Sequence, residues 1–272
     1  YALKLAVFHT IFNMIGVVVM VPFIGKLVIF LESVLKPESS LSDAGYDSAR
    51  YLNDSVLELP STAMAAIIRE TKHLYDNAFE IITHGLNLKR NNIESTLSLE
   101  EVVKDSYSTG SVNIDDFYNH RIKGIYGEII DFSTKAQSNM SPTDIEILYK
   151  LKLANRDLVE AVKDTKHLQK NLIKYSKSPN PHIKEQYDHI RKNLAELLRN
   201  INIVATTDEE DVILLLLSKA KVHTEKYDIL ANGTLDKLIR ERLITNEMAT
   251  SLMNDSAYAY DISKNLITMA EV

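Results

Sequence analysis

Residues 5–25, LAVFHTIFNMIGVVVMVPFIG, carry no polar side chain except His9, Thr10 and Asn13. Few structures accommodate such a run. As a helix it would be about 32 Å long at roughly 1.5 Å per residue, enough to cross a hydrocarbon core of about 30 Å. A secretory signal has a shorter apolar region and a small-residue cleavage site, and neither fits these flanks. A buried core helix is the other competitor, but residues 14–24 are apolar on every face. A membrane helix is therefore the expectation within residues 1–35, with Pro22 and Gly25 kinking or ending the span and residues 26–35 forming an interfacial segment.

His9 and Asn13 stand four residues apart and share one helical face. Polar groups at bilayer depth are costly and turn toward a protein interior or an aqueous cavity. Two readings stay open: a hydrogen-bonding seam that glues this helix to its neighbours, or a contribution to a transport pathway. Both require partner helices outside the 272 residues, and the first residue, Tyr1, agrees with a chain that continues a longer polypeptide.

Beyond residue 35 the chain changes character. The first 35 residues hold Lys4, Lys26 and Glu32, so a total charge of −6 leaves about −7 on the remaining 237. That length suits one large domain or two small ones. An acidic balance without a Lys/Arg-rich block excludes a nucleic-acid partner. Without cysteine there is no disulfide framework, thiolate metal site or Cys nucleophile. Only 8 glycines and 6 prolines favour helices over a turn-rich β architecture.

Residues 36–60 mix Pro, Ser, Asp and Gly without a sustained period and read as a linker. From Ser61 the apolar positions Met64, Ile67, Ile68, Thr71, Leu74, Tyr75, Ala78, Ile81 and Ile82 predict an amphipathic helix to about Leu88. A polar connection over 89–112 contains a short helix at 99–105. A second long helix is expected over 114–137, with Phe117, Tyr118, Ile122, Tyr126, Ile129 and Ile130 inward. The third starts at a Ser141 cap, with Pro142 in the first position and Asp144 in the first turn. Its stripe is Ile145, Leu148, Leu158, Val162, Leu168 and Leu172, and SPNPH stops it near 178. A fourth helix covers 182–204, and a fifth follows TTDEED with VILLLLSKA as a buried middle, ended or interrupted at Asn232-Gly233. A sixth runs from a Thr245 cap to Met269. No strand pattern emerges. The expected fold is all-α: one transmembrane helix, then a six-helix domain over 61–272 made of two three-helix sets, 61–178 and 179–272.

Glu160 and Asp164 lie one turn apart on the third helix, with His167 continuing their face. Carboxylates so spaced can share a hard cation, although acid pairs at this spacing are also common on solvated faces. Glu70, His73 and Asp76 form a weaker cluster of the same kind, and no second His completes an H-E-x-x-H zinc motif. Phosphate-binding loops, dinucleotide fingerprints and nucleophile elbows are missing, so no enzyme chemistry is expected.

FHTIFNMIGVVVMVPF resembles the H-x-x-F-N…G…P-F segment in the second membrane repeat of bacterial sodium-dependent phosphate cotransporters. SPTDIEILYKLKLANRDLVEAVKDTKHLQKNL is similar to the third helix of PhoU-like domains, and some members of the cotransporter family carry such a domain directly after the membrane part. The resemblance covers about residues 5–30 and 55–272. It implies the C-terminal portion of a sodium/phosphate cotransporter at the inner (plasma) membrane, with a PhoU-like regulatory domain in the cytoplasm. The alternative is a membrane-tethered regulatory or scaffold protein of phosphate homeostasis without transport activity.

The implied partners are the membrane, upstream transporter helices, inorganic phosphate, sodium as coupling ion, and further copies of the chain in a homo-oligomer. Glu160 and Asp164 match the acidic motif that binds metal in PhoU proteins, implying a divalent cation. Lys163 replaces the motif's Gly, Thr165 its following His, and Asn254 stands where the second repeat's Glu belongs, which reduces the implied cluster to one weak site at Glu160 and Asp164. His9 and Asn13 match the membrane motif. Nothing in the chain matches the family's Gln-Ser-Ser substrate repeats.

Overall fold

The computed structural model describes residues 2–21, 47–104, 113–229 and 231–272. Chain contacts divide the protein into two units, 1–43 and 44–272.

In the first unit, α1 (Ala2–Met20) is followed by a single 3-10 residue, Val21, just before Pro22. Phe8, Phe12, Met14, Ile15, Val17 and Val18 are all at least 58% exposed, so the helix has apolar side chains uncovered around its circumference. Among the described residues no helix is long and apolar enough to cross a membrane. The 19 residues of α1 extend roughly 28 Å at about 1.5 Å each, and Lys4, His9 and Asn13 fall within them. The full-length span expected from the sequence is thus not met by the described helix. Its continuation through Pro22 and Gly25, the interfacial segment and residues 36–46 of the linker lie outside the described residues.

The second unit is helical, with no strand among the described residues. After a 3-10 turn at Asp54–Glu58 come α2 (Pro60–Gly85), the short α3 (Arg90–Ile93) and α4 (Leu99–Lys104), and α5 (Ile114–Phe117). A π-helical turn at Tyr118–Ile122 leads into α6 (Lys123–Ala136). Then follow α7 (Pro142–Ser176), α8 (Pro181–Thr206), α9 (Glu210–Lys226), α10 (Thr234–Arg240) and α11 (Asn246–Ala270).

Helix starts follow local chemistry. Ser141 Oγ accepts from the Asp144 amide (3.2 Å) while Asp144 Oδ2 accepts from the Ser141 amide (3.3 Å), a capping box that opens α7 with Pro142 at its first position. Asn180 accepts from the amides of His182 and Ile183 at the head of α8, and Thr245 from Met248 at the head of α11.

The expected second helix is corrected in a specific way. Helical residues run on from Ile114 through Ala136 as expected, but through a π turn at Tyr118–Ile122, and the buried positions are Ile114, Phe117, Ile122, Ile125, Ile129, Phe132 and Ala136. Ile125 and Phe132 are buried where the sequence pattern favoured Tyr126 and Ile130, which are only partly covered. The fifth helix also differs. It ends at Lys226, and Gly233, at φ +76°, opens α10 instead of closing α9. Its middle is not buried. Leu217 and Ala220 face the core, while Leu214 (65% exposed) and Leu215 lie outside, because four consecutive leucines cannot share one helical face.

Helices α2, α6 and α7 pack on one another, as do α8, α9 and α11. The long α7 joins the two groups, making its most extensive seam with α11 and another with α8. Leu148, Leu158, Val162, Leu168 and Leu172 of its expected stripe are buried; Ile145 is partly so.

Two arginines of α8 tie down the segment 86–103 that follows α2. Arg191, fully buried, donates from Nε to the Leu86 carbonyl (3.0 Å) and from Nη2 to those of Asn87 (2.9 Å) and Val103 (3.3 Å). Two turns on, Arg199 donates to the carbonyls of Ile93, Asn92 and Leu97. Each guanidinium fork thus gathers three backbone carbonyls. Between α8 and α11 the buried Tyr187 hydroxyl donates to the Asp255 carboxylate. Burial pushes Asp255 up, against the hydrogen bonds from Tyr187 and Asn171.

Candidate functional site: an acidic seam between α7 and α11

Glu160 and Asp164 project from successive turns of α7 where it runs beside α11. Both are partly buried. Lys163 Nζ donates to Glu160 Oε1 at 2.8 Å, so one of the two carboxylates already has a cation. Asp164 is in a different position. Burial pushes its carboxyl up to about 6, and the negative charges of Asp261 and Glu160 add to the rise against the opposing His167 and Lys163. The Asp261 contribution comes from α11. One turn further along α7 the His167 ring stacks on Tyr258 of α11, with centroids 5.2 Å apart and planes at 21°. Asn254 is exposed on α11 and brings no carboxylate to the seam.

Sequence reasoning identified the α7 pair but missed Asp261. The spacing within α7 is local, whereas the register that sets α11 beside it is a tertiary property with no sequence signal. Among the described residues no group of three or more His, Cys, Asp and Glu side chains is arranged to hold a metal ion.

The weaker sequence cluster separates in the fold. Asp76 leaves it, pairing with Arg90 at 3.1 Å. Glu70 and His73 remain together and gain Asp47, a linker residue 26 positions upstream. His73 is 8% exposed and both its ring nitrogens face carboxylates: Nδ1 lies 2.6 Å from Glu70 Oε1 and Nε2 lies 2.9 Å from Asp47 Oδ2. Both ring nitrogens are thus engaged by carboxylates.

On α1, Asn13 Nδ2 and His9 Nε2 are 3.0 Å apart, which places the two residues on one face as their spacing predicts. Comparison with family models, curated proteins and solved structures finds no match for the chain.

Proposed function

We propose that this chain is the C-terminal portion of a sodium-dependent inorganic phosphate cotransporter, its helical domain a PhoU-like regulatory module on the cytoplasmic side. The observation that carries the reading is order: a His9/Asn13-bearing apolar segment resembling the family's membrane motif, followed by an acidic all-helical domain. The uncovered apolar circumference of α1 supports it, because such a surface calls for lipid or neighbouring helices. In this reading the hydrogen-bonded His9–Asn13 face packs toward upstream transporter helices, and phosphate and sodium travel through parts of the transporter that precede the bundle.

The regulatory module works without enzyme chemistry, by contacts and by a divalent cation held at Glu160 and Asp164. Two carboxylates supply only part of a six-oxygen shell, so affinity is weak and water completes the coordination. Calorimetry with magnesium, manganese and zinc should show weak binding that Asp164→Ala abolishes. Identical titrations for both proteins would reduce the pair to surface charge.

Membrane attachment through residues 5–35 is tested by deleting them. The shortened protein is expected in the soluble fraction while the 272-residue chain sediments with membranes. If the shortened protein still sediments in high salt, the attachment lies elsewhere and the proposal loses its basis.

A further inference from the structure

The chain joins the bundle of the second unit at a short strap, residues 47–51, lying on α2 and the π turn. Its hydrogen bonds are unusually dense for a coil. The Asp47 amide donates to the His120 carbonyl of the π turn at 2.9 Å. The amides of Arg50 and Tyr51 both donate to Glu70 Oε2 at 2.8 Å, and Glu70 is completely buried. The Asp47 carboxylate accepts from Asn77 Nδ2 (3.1 Å), from the Arg50 guanidinium (3.1 Å) and from His73 Nε2. His73 thus bridges two carboxylates, one on its own helix and one on the strap, and only the imidazolium has a proton for each.

We infer that Asp47, His73 and Glu70 form a proton-operated latch, which holds the Asp47 end of the strap against α2 while the imidazole is charged and lets that end go when the proton leaves. The charged groups acting on the ring are Glu70 from α2 itself and Asp47 and Arg50 from the strap; the π turn contributes the His120 carbonyl to Asp47. A neutral ring keeps one N–H. Glu70 is fully buried and has two strap amides as well, so the retained proton stays on Nδ1 and the lone pair of Nε2 is left facing Asp47. Two acceptors at 2.9 Å repel, and Asp47, whose side chain is 20% exposed, is the partner with a path to water.

The direction with pH follows. Burial works to lower the His73 value, but the two carboxylate hydrogen bonds outweigh it and the net displacement is upward from 6.5. A raised imidazole gives its full stabilisation below 6.5 and loses it as pH climbs through the raised value. The latch is closed in acid and opens on the alkaline side. Opening frees the Asp47 side chain from α2. The inference does not depend on the transport reading.

Hydrogen exchange on the 272-residue chain in detergent, corrected for intrinsic rates and followed from pH 5.5 to 9.5, tests it. The Asp47 amide should lose at least ten-fold protection in a single titration above pH 6.5, while the Arg50 and Tyr51 amides, held by Glu70, stay protected. The His73 ring proton should report the same midpoint by NMR. Asp47→Asn, which removes one carboxylate, should move the ring midpoint down. His73→Gln should leave the Asp47 amide poorly protected at every pH. Protection at Asp47 that is independent of pH in the wild type, or a ring midpoint unmoved by Asp47→Asn, would overturn the latch. The Asp47→Asn midpoint decides the matter even if His73→Gln does not fold.

Discussion

Asp164→Asn should stabilise the helical domain at neutral pH, a direction opposite to that of most substitutions at partly buried positions. The displacement of its carboxyl from 3.8 to about 6 measures how much less favourable its charge is in the fold than in water. At about 1.4 kcal/mol per pH unit, that displacement sets a ceiling near 3 kcal/mol. Asp164 is only partly buried and water screens the repulsion, so about 1 kcal/mol is the expected gain. For a domain of this size that is roughly a 2–4 °C rise in Tm.

The sign changes with pH in a defined window. The folded carboxyl binds a proton that the unfolded one does not between pH 3.8 and about 6, so wild-type stability from this group increases as pH falls through that range. The advantage of Asp164→Asn should be full above pH 7 and vanish near pH 4. Urea denaturation of both proteins at pH 7.5, 5.5 and 4, followed by circular dichroism, measures the difference with other titrations cancelled. Asp261→Asn should recover part of the same gain, since Asp261 supplies part of the repulsion. A destabilised Asp164→Asn at pH 7.5, or a gain of constant size at all three values, would refute the reasoning.

Arg191→Met removes the donors to three backbone carbonyls inside the protein and should cost about 3 kcal/mol or more, with hydrogen exchange in 86–104 rising first. Gly85→Ala places a Cβ against Thr165 Cγ2 and Ile114 Cδ1, so overpacking of about 1–2 kcal/mol should appear in denaturation, relieved by adding Thr165→Ser. Ser141→Ala dismantles the capping box of α7 and should cost about 1 kcal/mol by the same assay.

What was legible in the sequence was whatever is decided within a few turns of helix. The Ser141-Pro142-Asp144 start, the Thr245 cap and the Leu148 to Leu172 stripe depend on local hydrogen bonds and on the 3.6-residue period, and all are found in the fold. The π turn at 118–122 was not legible, because it leaves composition untouched and the buried positions on either side still share one helical face. Arg191 was invisible for another reason: a buried arginine reads as surface until three distant carbonyls are seen to converge on it. The same limit governs the sites. Glu160 and Asp164 could be paired by counting along one helix, whereas Asp261 and Asp47 reach their partners only through the packing of separate segments.

The central claim is transport, and sodium-driven phosphate uptake measures it. The cotransporter proposed to contain these 272 residues, reconstituted into liposomes, should accumulate radiolabelled inorganic phosphate when an inward sodium gradient is imposed. Replacing sodium by potassium or choline should abolish the accumulation, and His9→Ala with Asn13→Ala should reduce it. Uptake no greater than in protein-free liposomes, or equal uptake with and without the sodium gradient, would contradict the account.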